Sequence, residues 1–256
     1  MSAIEKFLKF SKEENIKFVD FRFTDSKGKW QHITHDIHNI DTATLQDGVM
    51  FDGSSIAGWQ AINKSDMILK PDLASYFIDP FMTHETVVVF CDVVDPETNS
   101  GYELDPRHTA KLAEKYLQKT GIGDIAYFGP ELEFFIFDNV LFENGNYGSF
   151  YEVDSIEHPN NSGREYSEGN LGHRPKQKGG YFPVPPVDSG FDLREEIVTT
   201  MREIGLDPLL HHHEVAPAQH EMGTKYNSLL IAADNIQKYK YAVHNVASAY
   251  GKSATF

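Results

Sequence analysis

Four glutamates constrain this chain more than any other feature of its sequence. Glu131 and Glu133 lie two residues apart in an apolar, aromatic stretch, residues 126–138, that has the length of a buried strand. Side chains alternate between the two faces of a strand, so these two carboxylates project to the same face. Glu214 and Glu221 follow in a His-rich segment. Four carboxylates in one pocket are typical of a site for hard divalent cations, which prefer oxygen ligands.

The first pair of glutamates also has a simpler interpretation, a strand end with two solvated side chains. Phe135 and Phe137 follow on the same predicted face, which places the carboxylates at the edge of an apolar surface. Two carboxylates held that close raise one of their pKa values and cost stability unless a cation binds between them. Taken alone, a Glu-x-Glu pair leaves both interpretations open.

The second pair lies in the segment from His211 to Glu221, where Pro217 interrupts strand pairing. Strict alternation would place Glu214 and Glu221 on opposite faces, so a shared site requires a bend at residues 216–218. Three consecutive histidines suggest zinc, but neighbours in an extended chain point in opposite directions and cannot all bind one ion. We expect most of them to support the fold or to orient ligands, with no more than one near the chemistry.

Charge and cysteine content exclude several classes of protein. A formal net charge of −15 argues against a nucleic-acid or anionic-membrane surface. The single cysteine, Cys91, lies in an apolar run and is expected to pack in a core, with no disulfide framework. No apolar run approaches the ~20 residues of a membrane-spanning helix, and the N-terminus lacks a signal-peptide pattern. We therefore expect a cytosolic protein, and its 256 residues, 40% of them hydrophobic, allow two domains.

The first hundred residues predict a small, strand-rich domain with one early helix. Ser2 and Glu5 form a capping box at the start of an amphipathic helix. A turn at residues 25–28 connects the first two strands. The predicted strands cover residues 18–24, 30–34, 67–69 and 86–94.

The remainder predicts a mixture of helices and strands. Asp105 and Pro106 start a helix that ends at Gly121. Residues 144–178 show little periodicity and predict a long loop. Further helices are predicted at residues 191–204, stopped by Gly205, and at residues 229–250, with Ile236, Tyr239, Val243 and Val246 along the buried side.

Five segments, in order, resemble bacterial type I glutamine synthetases. They are residues 51–59 with 64–66, then 129–135, 178–186, 211–221 and 251–256. The similarity covers essentially the whole chain but only about the first half of a family member. It implies an α+β fold, with a β-grasp N-terminal domain at residues 1–103. The first part of the antiparallel-sheet catalytic domain follows at residues 104–256, truncated at its C-terminal side.

The resemblance implies ATP-dependent ligation of ammonia to L-glutamate through γ-glutamyl phosphate. Glu133, Glu214 and Glu221 resemble ligands of the metal on the glutamate side of the site. Glu131 resembles a ligand of a second metal, which clamps the phosphates of ATP. Two or more Mg²⁺ or Mn²⁺ ions are implied, and carboxylate ligation suits either. Paired divalent ions neutralise charge on the transferred phosphoryl group and align its attacking and leaving oxygens.

Residues in loops complete the implied site. Asp52 and Ser55 resemble the family's ammonium-site loop, which enters the active site of a neighbouring subunit, and a carboxylate there takes a proton from NH₄⁺. The alternative is an ordinary polar turn. Tyr181 and Tyr226 resemble aromatic residues of the nucleotide and active-site loops, and the alternative for Tyr181 is a core tyrosine. The implied partners are L-glutamate, ammonium, ATP and further copies in a homo-oligomeric ring, a dodecamer at full length, without nucleic acid or membrane.

Two departures from the family pattern limit these expectations. Leu209 stands where a glutamate commonly contacts the nucleotide, and the segments that the family places after Phe256, including phosphate-contacting arginines, are missing. We therefore expect a fragment of an active ligase, and we expect the 256-residue chain alone to be inactive. The alternatives are a shortened, non-catalytic interaction protein and a glutamate–amine ligase, although Asp52 favours ammonia as the nucleophile.

Overall fold

The computed structural model describes residues 1–158 and 171–256. The helices are α1 (Ala3–Glu13), α2 (Thr42–Asp47), α3 (Pro106–Thr120), α4 (Phe191–Glu203) and α5 (Leu229–Ala249). The strands are β1 (Phe18–Thr24), β2 (Trp30–Asp36), β3 (Val49–Asp52), β4 (Asp66–Ile78), β5 (Thr86–Asp95), β6 (Ser100–Gly101), β7 (Tyr127–Phe128), β8 (Glu131–Phe137), β9 (Asn139–Gly145), β10 (Gly148–Asp154), β11 (Pro208–His213), β12 (Gln219–Thr224), β13 (Asn227–Ser228) and β14 (Ser253–Thr255).

The chain divides into two compact units. The first contains residues 1–128 and 228–234, and the second contains residues 129–227 and 235–256. The domain boundary predicted between residues 103 and 104 stays a prediction. Among the residues that the structure describes, no helix has the combination of length and apolar character that a membrane crossing requires.

The first unit is built on a mixed sheet with the strand order β2-β1-β5-β4-β3, and β6 pairs with β5. Strands β1 and β5 are parallel, whereas the other neighbours in this order are antiparallel. The capping box at Ser2 and Glu5 is present and starts α1, which buries Phe7 in the core of this unit. Cys91 is buried in the same core, as its apolar neighbours predicted. The first unit thus combines a mixed sheet with helices that pack against its apolar core, which confirms the predicted α+β class.

The sequence predicted the strands of this unit with uneven accuracy. Strand β1 has the predicted bounds, and β2 extends two residues further. Strand β4 runs from Asp66 to Ile78, far beyond the predicted residues 67–69. Its pairing with β5 shifts register between Pro71 and Tyr76. This irregularity breaks the local alternation on which the sequence prediction depended, while pairing with β5 keeps the segment extended.

The second unit contains an antiparallel sheet with the order β11-β12-β8-β14. Helix α4 buries Leu193, Ile197 and Met201, and the chain leaves the helix at Gly205 with a φ of +80°, the left-handed conformation that favours glycine. Along α5, Tyr239, Val243 and Val246 are buried as predicted, and Ile236 is half-buried.

Two predictions for residues 126–178 need correction. The strand predicted at residues 126–138 is interrupted at Gly129 and Pro130, between β7 and β8, because proline has no N–H for the ladder. The long loop predicted at residues 144–178 is wrong in its first part, where β9 and β10 form a hairpin. These strands are largely exposed on both faces, so no apolar alternation identifies them. Residues 159–170 of that prediction lie outside the described residues.

Candidate functional site

The antiparallel register of the second unit aligns three functional side chains across one face of the sheet. His212 on β11 lies opposite Glu221 on β12, and Glu221 lies opposite Glu133 on β8. Residues directly opposite each other in an antiparallel pair project to the same face. Glu131 lies two residues before Glu133, opposite Gly223, and therefore belongs to that face as well.

A bend between β11 and β12 places Glu214 beside this row. Ala218 adopts a φ of +63°, and the Glu214 backbone N–H donates to the Gln219 carbonyl oxygen at 2.8 Å. The Gln219 side-chain oxygen accepts a hydrogen bond from the Ala216 N–H at 3.0 Å. The bend that a shared site required at residues 216–218 is therefore present.

One imidazole and two carboxylates converge as a result. One potential ligand atom from each of His212, Glu214 and Glu221 lies within 4.8 Å of the other two. The Nδ1 atom of His212 lies 3.4 Å from Glu214 Oε1, and its Nε2 atom lies 3.6 Å from Glu221 Oε2. Sequence reasoning did not single out His212. It precedes Glu214 by two residues, so strand alternation would have placed both side chains on one face.

The electrostatics of this cluster favour a bound cation. Burial raises the pKa of Glu221, and the neighbouring carboxylates of Glu214, Glu131 and Glu133 raise it further, against the opposing effect of His212. A divalent cation among these carboxylates removes their mutual repulsion. Carboxylate oxygens with one imidazole form a donor set that suits Mg²⁺ or Mn²⁺. The residues present therefore fit a hard divalent cation.

The first pair of predicted ligands is more open to solvent. Glu131 and Glu133 are both exposed, and Glu133 accepts a hydrogen bond from the Gln219 side-chain amide. Among the described residues, the three-residue cluster includes Glu214 and Glu221 but neither member of this first pair. The assignment of Glu131 and Glu133 as metal ligands stays a prediction.

A cavity of about 630 Å³ opens beside the cluster. Glu131, Glu221 and His212 form one part of its wall. Its apolar wall is formed by Tyr181, Phe182, Pro183, Val184, Pro185, Phe191 and Leu210. The ring of Tyr181 stacks on that of Phe182, with the centroids 4.0 Å apart, and meets the ring of His212 edge-on at 5.7 Å. The cavity therefore joins a charged end to an aromatic surface.

Tyr226 and Leu209, the two positions that the family resemblance associates with nucleotide contact, are both exposed. Tyr226 is exposed and follows β12, and it is not among the described residues that line the cavity. Leu209 is 68% exposed and lies on β11 where the pairing with β12 changes register. The structure thus brings Tyr181 to the cavity, whereas the role of Tyr226 stays a prediction.

Arg194, a residue that the sequence analysis did not single out, is fully buried on α4. Its guanidinium donates to Asp188 Oδ2 at 2.5 Å and to His211 Nδ1 at 3.2 Å, and lies 2.9 Å from His220 Nδ1. Burial and the positive charge of Arg194 lower the pKa of His220 to about 3, so its imidazole is neutral near pH 7. Arg194 therefore connects α4 to β11, to β12 and to the segment that forms the apolar wall.

A second unpredicted residue, Glu157, contacts the bend itself. Its Oε2 atom lies 2.7 Å from His213 Nε2. Burial alone would raise the pKa of Glu157, but His213, Ser189 and the Ala218 N–H lower it to about 2. Of the three consecutive histidines, His212 lies among the carboxylates while His211 and His213 contact Arg194 and Glu157, which agrees with the expectation that most of them are supporting residues.

The predicted ammonium-site residues belong to the first unit. Asp52 precedes a short 3₁₀ turn, Gly53–Ser55, and is exposed. Its Oδ1 atom accepts hydrogen bonds from the N–H and hydroxyl of Ser54, at 2.9 and 2.6 Å, and Oδ2 accepts from the Ser55 hydroxyl at 2.7 Å. The hydrogen bonds from Ser54 and Ser55 lower the pKa of Asp52 below its usual value because they stabilise the ionised carboxylate.

Comparison with known sequences decides the family. The model described as "Glutamine synthetase, catalytic domain" matches residues 103–256, and "Glutamine synthetase, beta-Grasp domain" matches residues 15–96. The chain belongs to the glutamine synthetase family. It is 54% identical over 256 residues to glutamine synthetase of Rhizobium meliloti, and 52% identical over 257 residues to that of Escherichia coli. Each alignment covers 100% of this chain and 55% of the relative, so the chain spans about half the length of the curated relatives it matches.

A solved structure agrees with this assignment to the glutamine synthetase family. The glutamine synthetase of Plasmodium falciparum, determined by cryo-electron microscopy, superposes with a TM-score of 0.90 at 25% identity. The superposition covers 100% of this chain and 50% of that one. The β-grasp N-terminal domain and the first part of the catalytic domain, both implied by the sequence resemblance, are confirmed.

Proposed function

We propose that this chain is part of a glutamine synthetase that joins ammonia to L-glutamate at the expense of ATP, through γ-glutamyl phosphate. Its similarity to proteins named glutamine synthetase over its whole length supports the proposal. The proposal concerns the activity of whole family members, of whose length the chain spans about half. The substrates would be L-glutamate, ammonium and ATP, and further copies of the protein would assemble with it in a ring, a dodecamer at full length.

The observation that carries the proposal is the convergence of His212, Glu214 and Glu221 beside a cavity of about 630 Å³. Glu214 and Glu221 would hold a divalent cation, Mg²⁺ or Mn²⁺, with Glu133 as a third carboxylate. Glu131 would hold a second ion closer to the ATP phosphates. Bound divalent cations neutralise charge on a transferred phosphoryl group and align the reacting oxygens.

Other residues of the chain would bind and orient the substrates. The apolar wall of the cavity would exclude water from the acyl phosphate, which water would otherwise hydrolyse. Tyr181 would contact substrate from this wall, and Tyr226 would belong to the nucleotide side. Asp52 and Ser55 would form the ammonium site, where an ionised carboxylate attracts NH₄⁺ and takes its proton. The cytosolic location expected from the sequence belongs to the same proposal.

The direct test measures glutamate- and ammonia-dependent release of ADP by the product of the complete gene. Glu221→Gln removes one carboxylate charge from the cluster and is expected to lower the rate at least about 100-fold. Glu143→Gln is the matched control, because Glu143 is an exposed carboxylate on β9, and its rate should stay within about twofold of wild type. Ligation of an amine in preference to ammonia would contradict the proposal and favour a glutamate–amine ligase.

A further inference from the structure

The carboxylate of Glu157 lies outside the ligand cluster and is buried at the bend that carries Glu214. Glu157 is only 2% exposed to solvent. Its Oε2 atom accepts a hydrogen bond from the Ala218 backbone N–H at 2.6 Å and lies 2.7 Å from His213 Nε2. Its Oε1 atom accepts a hydrogen bond from the Ser189 hydroxyl at 2.6 Å. A carboxylate this deeply buried persists only with such partners, so its position is fixed by them.

These contacts lie on both sides of Glu214 in the chain. His213 immediately precedes Glu214, and its Nδ1 atom lies 2.6 Å from the Glu214 carbonyl oxygen. Ala218 ends the bend, in a conformation that residues other than glycine rarely adopt. Such a conformation persists only where surrounding contacts impose it. Glu157 therefore holds the two ends of the segment whose path sets the direction of the Glu214 side chain.

We propose that Glu157 is a positioning residue for the divalent cation site. It holds the bend so that the Glu214 carboxylate lies beside His212 and Glu221, and it does not bind the cation itself. This inference rests on the proposed function, because it requires the cluster to bind a divalent cation. Partners that orient metal ligands in this way are worth about 10- to 100-fold in metal affinity.

Titration of the purified protein with Mn²⁺ alone, followed by electron paramagnetic resonance of the free ion, tests this role. Glu157→Ala removes all three contacts and is expected to weaken Mn²⁺ affinity about 10- to 100-fold. Glu157→Gln is expected to stay within about threefold of wild type. Its amide oxygen accepts from Ala218 and His213 while its NH₂ group donates to Ser189, so the geometry survives without the charge.

Two further variants separate positioning from general loss of stability. Val243→Ala removes buried methyl groups from α5 in the same unit and should lower the melting temperature without changing Mn²⁺ affinity. In a Glu214→Ala background, Glu157→Ala should add less than about a twofold effect, because a residue that acts through Glu214 has nothing left to position.

The outcomes distinguish a failure of the positioning role of Glu157 from a failure of the proposed function. Wild-type Mn²⁺ affinity in Glu157→Ala, or an equal loss with and without Glu214, overturns the inference and leaves the proposed function intact. Absence of Mn²⁺ binding by the wild-type protein overturns both. If Glu157→Ala does not fold, Glu157→Asp retracts the carboxylate by one methylene while keeping its charge. A clear loss of Mn²⁺ affinity is expected there, and unchanged affinity would overturn the inference.

Discussion

Replacement of Arg107 by methionine should lower the free energy of unfolding of the first unit far more than replacement of an exposed charged residue does. Arg107 lies at the start of α3 and is 7% exposed. Its guanidinium contacts three carboxylates, those of Asp72 and Asp92 at 2.6 Å and that of Asp234 at 3.0 Å. These residues come from β4, β5, α3 and the start of α5, whose residues 229–234 belong to the first unit, so one side chain connects four segments of that unit.

The size of the effect follows from the charges left behind. Removal of one partner from a buried ion pair costs about 3–5 kcal/mol. The three aspartate side chains are 13–25% exposed, and Lys111 still neutralises Asp92, so we expect the lower end, about 3 kcal/mol. This corresponds to a change of roughly 160-fold in the unfolding equilibrium constant. Arg107→Lys keeps the charge but loses the planar fork, so its free energy of unfolding should lie between those of wild type and Arg107→Met.

Urea unfolding followed by tryptophan fluorescence measures this change, because both tryptophans, Trp30 and Trp59, lie in the first unit. Lys9→Met is the control, since the pair between Lys9 and Glu13 is more than half exposed and should contribute less than about 1 kcal/mol. A loss below about 1 kcal/mol for Arg107→Met would refute the reasoning.

The pH dependence provides a second check. Burial alone would raise the pKa of Asp72, but the hydrogen bond and charge of Arg107 lower it below its usual 3.8. A carboxyl group with a lowered folded-state pKa contributes stability above its unfolded-state pKa, and that stability is lost as the pH falls through the folded-state value. The difference in free energy of unfolding between wild type and Arg107→Met should therefore become smaller as the pH falls below about 4. An equal difference at pH 7 and pH 3 would contradict an ion-pair origin.

Two further predictions concern the isolated chain and a helix end. The purified 256-residue chain should release no ADP in the presence of glutamate, ammonia, Mg²⁺ and ATP, and a release that depends on both glutamate and ammonia would show the expectation to be wrong. Gly121→Ala should destabilise the first unit by about 1 kcal/mol in the same urea assay, because Gly121 ends α3 at a φ of +70°. Gly123→Ala, with room for a Cβ and no positive φ, should leave stability unchanged, and equal losses in both variants would exclude backbone strain as the cause.

Local patterns in the sequence predicted much of the secondary structure. The bounds of β1 and the cap and end of α3, at Asp105 and Gly121, follow from alternation and from capping chemistry that operate over a few residues. The hairpin β9–β10 was missed because its two strands stabilise each other across a turn while both faces remain largely exposed. The sequence of these two strands therefore contains no alternation of buried and exposed residues that would have predicted them.

The candidate site divides in the same way. The residue types and spacing predicted that Glu131 and Glu133 share a face, and that Glu214 and Glu221 can share one only across a bend. The register that sets His212 opposite Glu221, and Glu221 opposite Glu133, depends on pairing among three strands distant in sequence. No local pattern specifies such a register.

The sequence by itself determined the family, the fold class and the four glutamates proposed to bind metal, because motifs and short-range periodicity are written into neighbouring residues. Tertiary structure alone decided the left-handed turn at Ala218, the burial of Glu157 behind it and the ion cluster around Arg107. Glu157 and Ala218 are 61 residues apart, and Arg107 and Asp234 are 127 residues apart. Such contacts form only when the packing of whole elements brings distant charged and polar groups together and excludes water from them.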